Sequence, residues 1–421
     1  MTSWAGGYEL ALKMSRNQTY PKASAQRGRP LFHSVLEIIW RYRRISRVDI
    51  ARRTGLSRST VSGIVTKLLR SGLVAEAGDG PSRGGRRPIL LEFVDSAHVI
   101  LGVDLGSTHV SVVLTDLRGQ ELGWEHRDHP VRTDPEGTER LVTTLSEAVL
   151  ARHDGARRRL LGVGVAVPSP VDPLRPRQVS DVLLPHWRGH GVLEELQAIH
   201  RVPVLVENDA NLGALAEQWW GAGRGLDDFT YLKLGTGVGS GHIIRGEIYR
   251  GATGVAGEIG HMVIRPGGLP CSCGNRGCLE TLVGTRALMH RAAELLPEFP
   301  GSRLEGAAIT VELIEEAAMD ADPLAISLVR GVAEDLSTAL AGAMNILNPA
   351  AVILGGSLTR LGALLITPVQ EGVRRKTLLD SVAVSRILAS GLGPRATARG
   401  AATLILETAL ADPSMFPHLG D

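Results

Sequence analysis

The chain has 421 residues, 43% hydrophobic and 21% charged, a balance that excludes a disordered polyelectrolyte and a length that exceeds one ordinary core. Its net charge of +2 hides a division, because residues 1–90 carry 17 Lys and Arg against 5 Asp and Glu, a net +12, and the remainder carries −10. No run of eighteen or more apolar residues occurs and no compact apolar leader opens the chain, so a membrane span and secretion are not expected and a cytoplasmic location is.

Residues 1–29 are polar and basic with no sustained period, which predicts a mobile tail. From Phe32 the pattern changes. Phe32, Val35, Leu36 and Ile39 recur at helical spacing and predict a first amphipathic helix. Ser46, followed three residues on by Asp49, predicts the cap of a second helix that stops at Gly55. Leu56 then reads as a core plug. Ser57 predicts the cap of a third helix, with Val61, Ile64, Val65 and Leu68 as its apolar stripe and Gly72 at its end. Two short apolar segments, Leu73–Ala77 and Ile89–Phe93, flank a Gly- and Arg-rich loop and predict a β-wing.

Three helices, a tight turn at Gly55-Leu56-Ser57 and a hairpin together predict a winged helix-turn-helix over residues 30–95, a basic module suited to double-stranded DNA. Its third helix would enter the major groove, bringing Arg58, Ser59, Thr60 and Ser62 to base edges or nearby phosphates and Lys67 to a phosphate. Arg83, Arg86 and Arg87 of the wing suit a narrow minor groove.

From about residue 97, apolar strands (Val99–Val103, Val110–Leu114, Leu161–Val167, Val204–Val206, Thr230–Leu234, Ala351–Leu354) alternate with helical stretches such as Thr138–Ala151 and Leu324–Leu347, which predicts an α/β body over residues 96–421. Two segments in it resemble each other, Val103–Thr108 and Lys233–Gly239. Each is a strand running into a Gly/Ser/Thr turn, as a duplicated phosphate-loop lobe would show. The chain's only cysteines, Cys271, Cys273 and Cys278, fall in one glycine-rich window ten residues after His261. They are odd in number and too close together for a disulfide framework. A Cys3His set is a closed tetrahedral donor group, so the expected cofactor is structural Zn2+ held by all four side chains, in a reducing compartment.

Several separated motifs carry a family resemblance over residues 30–410. Gly257-Glu258-Ile259-Gly260-His261 with the cysteine loop ending in Leu279-Glu280, the segment Glu207–Asn211, and the run Leu234–Gly241 resemble the signature, active-site segment and second phosphate loop of the ROK (repressor, open reading frame, kinase) family, regulatory branch. The resemblance implies a two-lobed actin-like ATPase (ribonuclease H-like) sugar-kinase fold behind the winged helix. Lobe 1 would span about 96–210 plus a C-terminal helix near 392–410, and lobe 2 about 211–391. It implies a sugar cleft lined by Asn208, Asp209, Glu258, His261 and Glu280, with His261 shared between metal and sugar.

The resemblance also implies phosphate-loop positions at Asp104, Gly106 and Thr108 and at Gly235, Thr236, Gly237 and Gly239, with Asp209 as catalytic base if the chain is a kinase. Ser107 and His109 depart from the kinase pattern, and so does Ser169, where the kinases carry glycine near the sugar. A side chain at Ser107 crowds the backbone approach to phosphate, which weighs against ATP/Mg2+ chemistry and leaves the nucleotide question open. The expected function is therefore that of a sugar-responsive repressor, a homodimer or dimer of dimers on a palindromic operator, released by a sugar or sugar phosphate. The rival is a sugar kinase with an accessory DNA-binding domain. Xylose, glucose, N-acetylglucosamine and their phosphates all fit a cleft of this polarity.

Overall fold

The computed structural model describes residues 31–81, 87–174, 185–187, 190–377, 386–417 and 419. The predicted tail and the wing residues Arg83 and Arg86 lie outside them.

The N-terminal module consists of α1 (Leu31–Arg41), β1 (Ile45–Ser46), α2 (Arg47–Thr54), α3 (Arg58–Arg70), β2 (Val74–Asp79) and β3 (Ile89–Phe93). Local chemistry sets its boundaries. The Ser46 hydroxyl accepts from Asp49 N–H at 3.1 Å, Ser57 accepts from Thr60 N–H at 3.1 Å, and Gly55 ends α2 with φ 72°, the left-handed conformation that glycine adopts without strain. Val35, Leu36, Ile39, Ile50, Val61, Val65 and Leu68 are fully buried. The two-residue strand β1, which sequence periodicity did not reveal, adds an edge to the wing in the order β1-β3-β2.

The body contains two five-stranded sheets of matching design. The first comprises β4 (Val99–Gly106), β5 (His109–Asp116), β6 (Glu121–Asp128), β7 (Leu160–Val167) and β8 (Val204–Asn208), in the order β6-β5-β4-β7-β8. The second comprises β9 (Phe229–Leu234), β10 (Val238–Ile244), β11 (Glu247–Ile248), β12 (Ala351–Gly356) and β13 (Arg386–Ala389), in the order β11-β10-β9-β12-β13. In each, three antiparallel strands lead and two parallel strands follow. The predicted strands all form. The sequence reading missed β6, β11 and β13, and it took all of Gly235–Gly241 as loop although β10 begins at Val238.

Helices α4 (Pro135–Ala151), α5 (Ala156–Arg159) and α6 (Val192–His200) belong to the first lobe, and Val142, Leu145, Val149, Val192 and Leu196 pack in its outer core. Helix α7 (Asp209–Trp220) follows β8 directly. The second lobe carries α8 (Glu280–Val283), α9 (Thr285–Leu295), α10 (Val311–Met319), α11 (Pro323–Leu347) and α12 (Ala363–Lys376) around a second core. The last helix, α13 (Ala396–Ala411), returns to the first sheet. Its approach is set by glycines with no room for a side chain: a Cβ at Gly164 would collide with the Ala401 carbonyl, and one at Gly400 with that of Leu212. Helix α7 therefore lies tight against α13. No helix among the described residues is long and apolar enough to cross a membrane.

A third apolar core is shared. It runs without a break from Val35, Trp40 and Leu68 of the winged module through Leu212, Leu215 and Trp219 of α7 to Ile405 and Leu410 of α13 and one face of β9 and β12. At the seam Trp40 Nε1–H donates to the Leu117 carbonyl at 2.9 Å, its ring lies 5.3 Å from that of Trp219, and the Arg118 guanidinium covers it at 4.7 Å. Arg118 also donates to the Trp40 carbonyl and, at 3.0 Å, to Asp95. His33 Nδ1 bonds the Leu410 carbonyl. The module is thus docked through buried aromatic surface and not hung on a linker.

Candidate functional site

Two bridges, Val263 with Cys278 and Pro270 with Arg276, fold the cysteine loop back beside the short turn Ile259–His261. The loop brings together all four predicted metal ligands. One donor atom from each of His261, Cys271, Cys273 and Cys278 lies within 4.8 Å of every other, a group able to hold one metal ion. His261 Nδ1 is 3.5 Å from Cys271 Sγ, and the Cys273 and Cys278 sulfurs are 3.7 Å apart. Burial, and then the adjoining thiols of Cys273 and Cys271, push the Cys278 thiol up to about 12. A cation among the sulfurs would supply the charge that lets them ionise. The other ring nitrogen of His261 points away from the sulfurs and lies 3.6 Å from Glu258 Oε2.

Glu258 is the first of the residues expected to line a sugar site. Burial first, and then the negative charges of the nearby Asp209 and Glu280, push its carboxyl up to about 7. Asn208 caps α7: its Oδ1 accepts from Ala210 N–H at 2.9 Å and Asn211 N–H at 3.1 Å, while its Nδ2 donates to the Ser169 carbonyl at 3.2 Å. Much of its hydrogen-bonding capacity is therefore already used locally. Asp209, the first residue of α7, accepts from Lys233 Nζ at 2.7 Å.

Lys233 and Asp104 hold corresponding places in the two sheets, each two residues before the glycine at the end of a central strand, Gly106 closing β4 and Gly235 following β9. Burial works against charging Lys233, but Asp209 and then Asp104 outweigh it and raise its pKa. Burial likewise opposes ionisation of Asp104, and Lys233 and His109 prevail and lower it. Asp104 is 1% exposed; Oδ2 lies 3.3 Å from His109 Nε2, and Oδ1 has no partner among the described residues.

The two glycine turns are both engaged internally. In the first, between β4 and β5, the His109 ring lies over Gly106, where an added Cβ would strike it. In the second, the Gly235 N–H bonds the Gly237 carbonyl at 3.1 Å, and Glu280 Oε2 accepts from Val238 N–H at 3.2 Å. Thr236 and Gly239 flank that contact in sequence, and Thr108 lies in the first turn. Sequence reasoning missed Lys233 and the pair of Glu207 with Arg250, whose Nε donates to it at 2.5 Å. One signal was present: Lys233 is the lone charge in the run Phe229–Leu234.

On the winged module, Arg58, Ser59, Ser62 and Lys67 are exposed along α3 and Thr60 is half-buried. The Ser57 hydroxyl bonds those of Ser59 and Thr60 at 2.8 Å each, so both are tied into the helix cap. Arg87 is exposed at the foot of the wing.

Comparisons with known proteins agree with this division. A model of the ROK family matches residues 100–408 and one of winged helix-turn-helix DNA-binding domains matches residues 33–75. The xylose repressor of Caldicellulosiruptor bescii is 31% identical over 386 residues, covering 90% of this chain and 96% of that protein. The DNA-binding transcriptional dual regulator NagC of Escherichia coli (strain K12) is 30% identical over 347 residues, covering 82% and 84%. Among solved structures, a ROK family glucokinase from Streptomyces griseus in complex with glucose and AMPPNP superimposes with a TM-score of 0.66 at 32% identity, over 73% of this chain and 98% of that one.

Proposed function

This chain belongs to the ROK family, and from that premise we propose that it is a sugar-responsive, DNA-binding transcriptional repressor and not a sugar kinase. The carrying observation is the continuity of structure between the two sites. Helix α7 begins with Asn208 and Asp209 at the cleft and ends with Trp219 against Trp40 of the winged module, and residues Ala210–Trp219 between are buried throughout. Twelve helical residues span about 18 Å, so a displacement imposed at one end reaches the other as rigid-body motion.

The roles divide accordingly. Asn208, Asp209, Glu258, His261 and Glu280 receive the sugar, whose hydroxyls donate to carboxylates and accept from amides. Arg58, Ser59, Thr60, Ser62 and Lys67 of α3, with Arg83, Arg86 and Arg87 of the wing, meet DNA. A homodimer or dimer of dimers presents paired readers to two half-sites, as symmetric operators require. A cytoplasmic location goes with that role.

The ion in the cysteine loop is zinc. Two thiolates about 2.3 Å from one tetrahedral zinc ion stand about 3.8 Å apart, and a thiolate and an imidazole nitrogen about 3.6 Å apart. The 3.7 and 3.5 Å separations of these two pairs fit such an ion, and the Cys3His donor set is one that zinc takes. Bound zinc would fix the loop and the His261 ring, leaving Nε2 toward Glu258 and the cleft.

Sugar releases DNA only if it binds the non-DNA-binding arrangement more tightly, since equal affinity shifts nothing. The test is to select binding sites from a random duplex library with the full-length protein, then to follow release of the selected duplex by fluorescence anisotropy across a sugar panel. The reading requires a site with two half-sites and at least one sugar that lowers affinity tenfold or more. A selected duplex that no sugar releases overturns it.

A further inference from the structure

Resting on the reading of Glu258 as a sugar-facing residue, we infer that Thr230, His242 and Ser240 are its positioning residues: a buried relay of hydrogen bonds, donated in one direction, that fixes the turn 257–261 on β10 and so registers it with helix α7.

The two faces of β10 carry the first part of the argument. Its odd-numbered positions meet α7: a Cβ at Gly241 would collide with the Ala210 carbonyl, and one at Gly239 would stand 3.3 Å from the Ala210 side chain. The other face meets the turn through Ser240. A Cβ at Gly257 would collide with the Ser240 carbonyl and one at Gly260 with that of Val238, so turn and strand lie backbone to backbone. One strand therefore touches both the helix that reaches the winged module and the turn that carries Glu258 and His261.

The second part is a polar chain on an apolar face. Leu232, Leu234 and Val238 of that face belong to the second core, yet Thr230, Ser240 and His242 are buried beside them, and Thr230 stands opposite His242 in the ladder. Buried polar groups cost stability unless they are bonded, and each of these is. His242 Nδ1 lies 3.0 Å from Thr230 Oγ1 and Nε2 lies 3.1 Å from Ser240 Oγ, while the Ser240 hydroxyl donates to the Gly257 carbonyl at 3.0 Å.

The chemistry of the last partner sets the order. A carbonyl only accepts, so the single Ser240 hydroxyl proton is spent there; Ser240 Oγ then accepts from His242 Nε2–H, and Nδ1 accepts from the Thr230 hydroxyl. That order needs a neutral imidazole, and burial supplies one by pushing the His242 pKa down to about 4. The carbonyl at the end of the relay belongs to the peptide bond leading into Glu258. It also accepts from Ser240 N–H at 2.9 Å and Ile259 N–H at 2.7 Å, so three donors fix the entry to that residue.

Hydrogen exchange read by mass spectrometry tests this on the full-length wild type, Ser240→Ala, Thr230→Val and the double variant. Amides 257–262 are expected to exchange about tenfold faster in Ser240→Ala and about threefold faster in Thr230→Val, with β12 of the same sheet at its wild-type rate. The double variant should exchange no faster than Ser240→Ala, because a chain already broken loses nothing at a second break. An unchanged turn in Ser240→Ala, single effects that multiply in the double variant, or an acceleration shared equally by β12 overturns the relay. Imidazole 15N spectra check its direction: His242 protonated at Nε2 is expected, and at Nδ1 overturns it. Neither measurement uses sugar or DNA, so loss of the relay leaves the sugar-responsive reading standing, and a duplex that no sugar releases leaves the relay standing.

Discussion

The two ends of helix α7 differ in chemistry as much as two surfaces of one helix can. At the N-terminal end Asn208, Asp209, Glu207, Lys233 and Arg250 make hydrogen bonds and ion pairs that a polar ligand can replace one by one. At the C-terminal end Trp219, Trp220, Trp40 and Arg118 make a dry aromatic contact that exchanges with nothing in solution. The difference teaches how the work divides. Hydrogen bonds exchange their partners at small net cost, so the polar end can sense, whereas close-packed aromatic surface resists deformation, so the other end can transmit.

The largest expected effect breaks the transmitting end. Trp219→Ala should destabilise the protein by about 3–5 kcal/mol, read by chemical denaturation, because it empties a large buried site. The milder Trp219→Phe should keep sugar affinity and operator affinity separately and reduce the ratio between operator affinities with and without sugar by at least tenfold. An unchanged ratio would show that coupling takes another route.

Next in size is the sensing end. Lys233→Met strips the counter-ion from a largely buried Asp209 and should cost about 1–3 kcal/mol of stability. Pairing it with Asp209→Asn should recover most of that loss, because the uncompensated charge disappears; a double-mutant cycle with no interaction term would refute the assignment.

The metal loop touches the same end through His261 and Glu258. Zinc content by mass spectrometry should fall in Cys278→Ser, and a chelator should lower the Tm of the wild type while leaving that of the variant unchanged. Equal chelator shifts in both would exclude Cys278 as a ligand.

The smallest effect sharpens the comparison at the transmitting end. Glu217 of α7 is fully buried, and burial raises its pKa above the usual carboxylate range against its bonds from Ser390 and Ala222 N–H. A raised folded-state pKa means that the stability this group contributes is fully present below the unfolded carboxylate value and is lost as pH rises through the folded one. Thermal melts from pH 4 to 8 should therefore show Glu217→Gln losing less stability than the wild type as pH rises. A steeper loss in the variant would reverse the sign.

What a reader of the sequence can see here is local. The caps at Ser46 and Ser57 and the stop at Gly55 act on N–H groups three residues away or on a single φ, so composition and spacing sufficed to outline the winged module. The four candidate metal ligands sit within eighteen residues and close one short loop, and the family motif around Asp209 lies on one strand–helix junction. The three-residue turn Gly235–Gly237 was harder: glycines announced a loop, but only the ladder with β9 shows that Val238 already belongs to a strand.

The features that give the site its character depend on partners far apart in the chain, and no local pattern encodes them. Lys233 meets Asp209 because α7 packs against β9, bringing the start of the helix beside the end of the strand; Glu280 meets Val238 N–H across 42 residues; and Trp40 meets Trp219 because glycines at 164 and 400 let α13 and α7 settle close to the first sheet. Periodicity, caps and ligand spacing, all short-range consequences of backbone geometry, determined what the modules are and which chemistry they carry. Tertiary packing alone decided which charges are already paired, which N–H groups are already taken and which helix joins the two sites, because burial and long-range contact exist only once the chain has closed on itself.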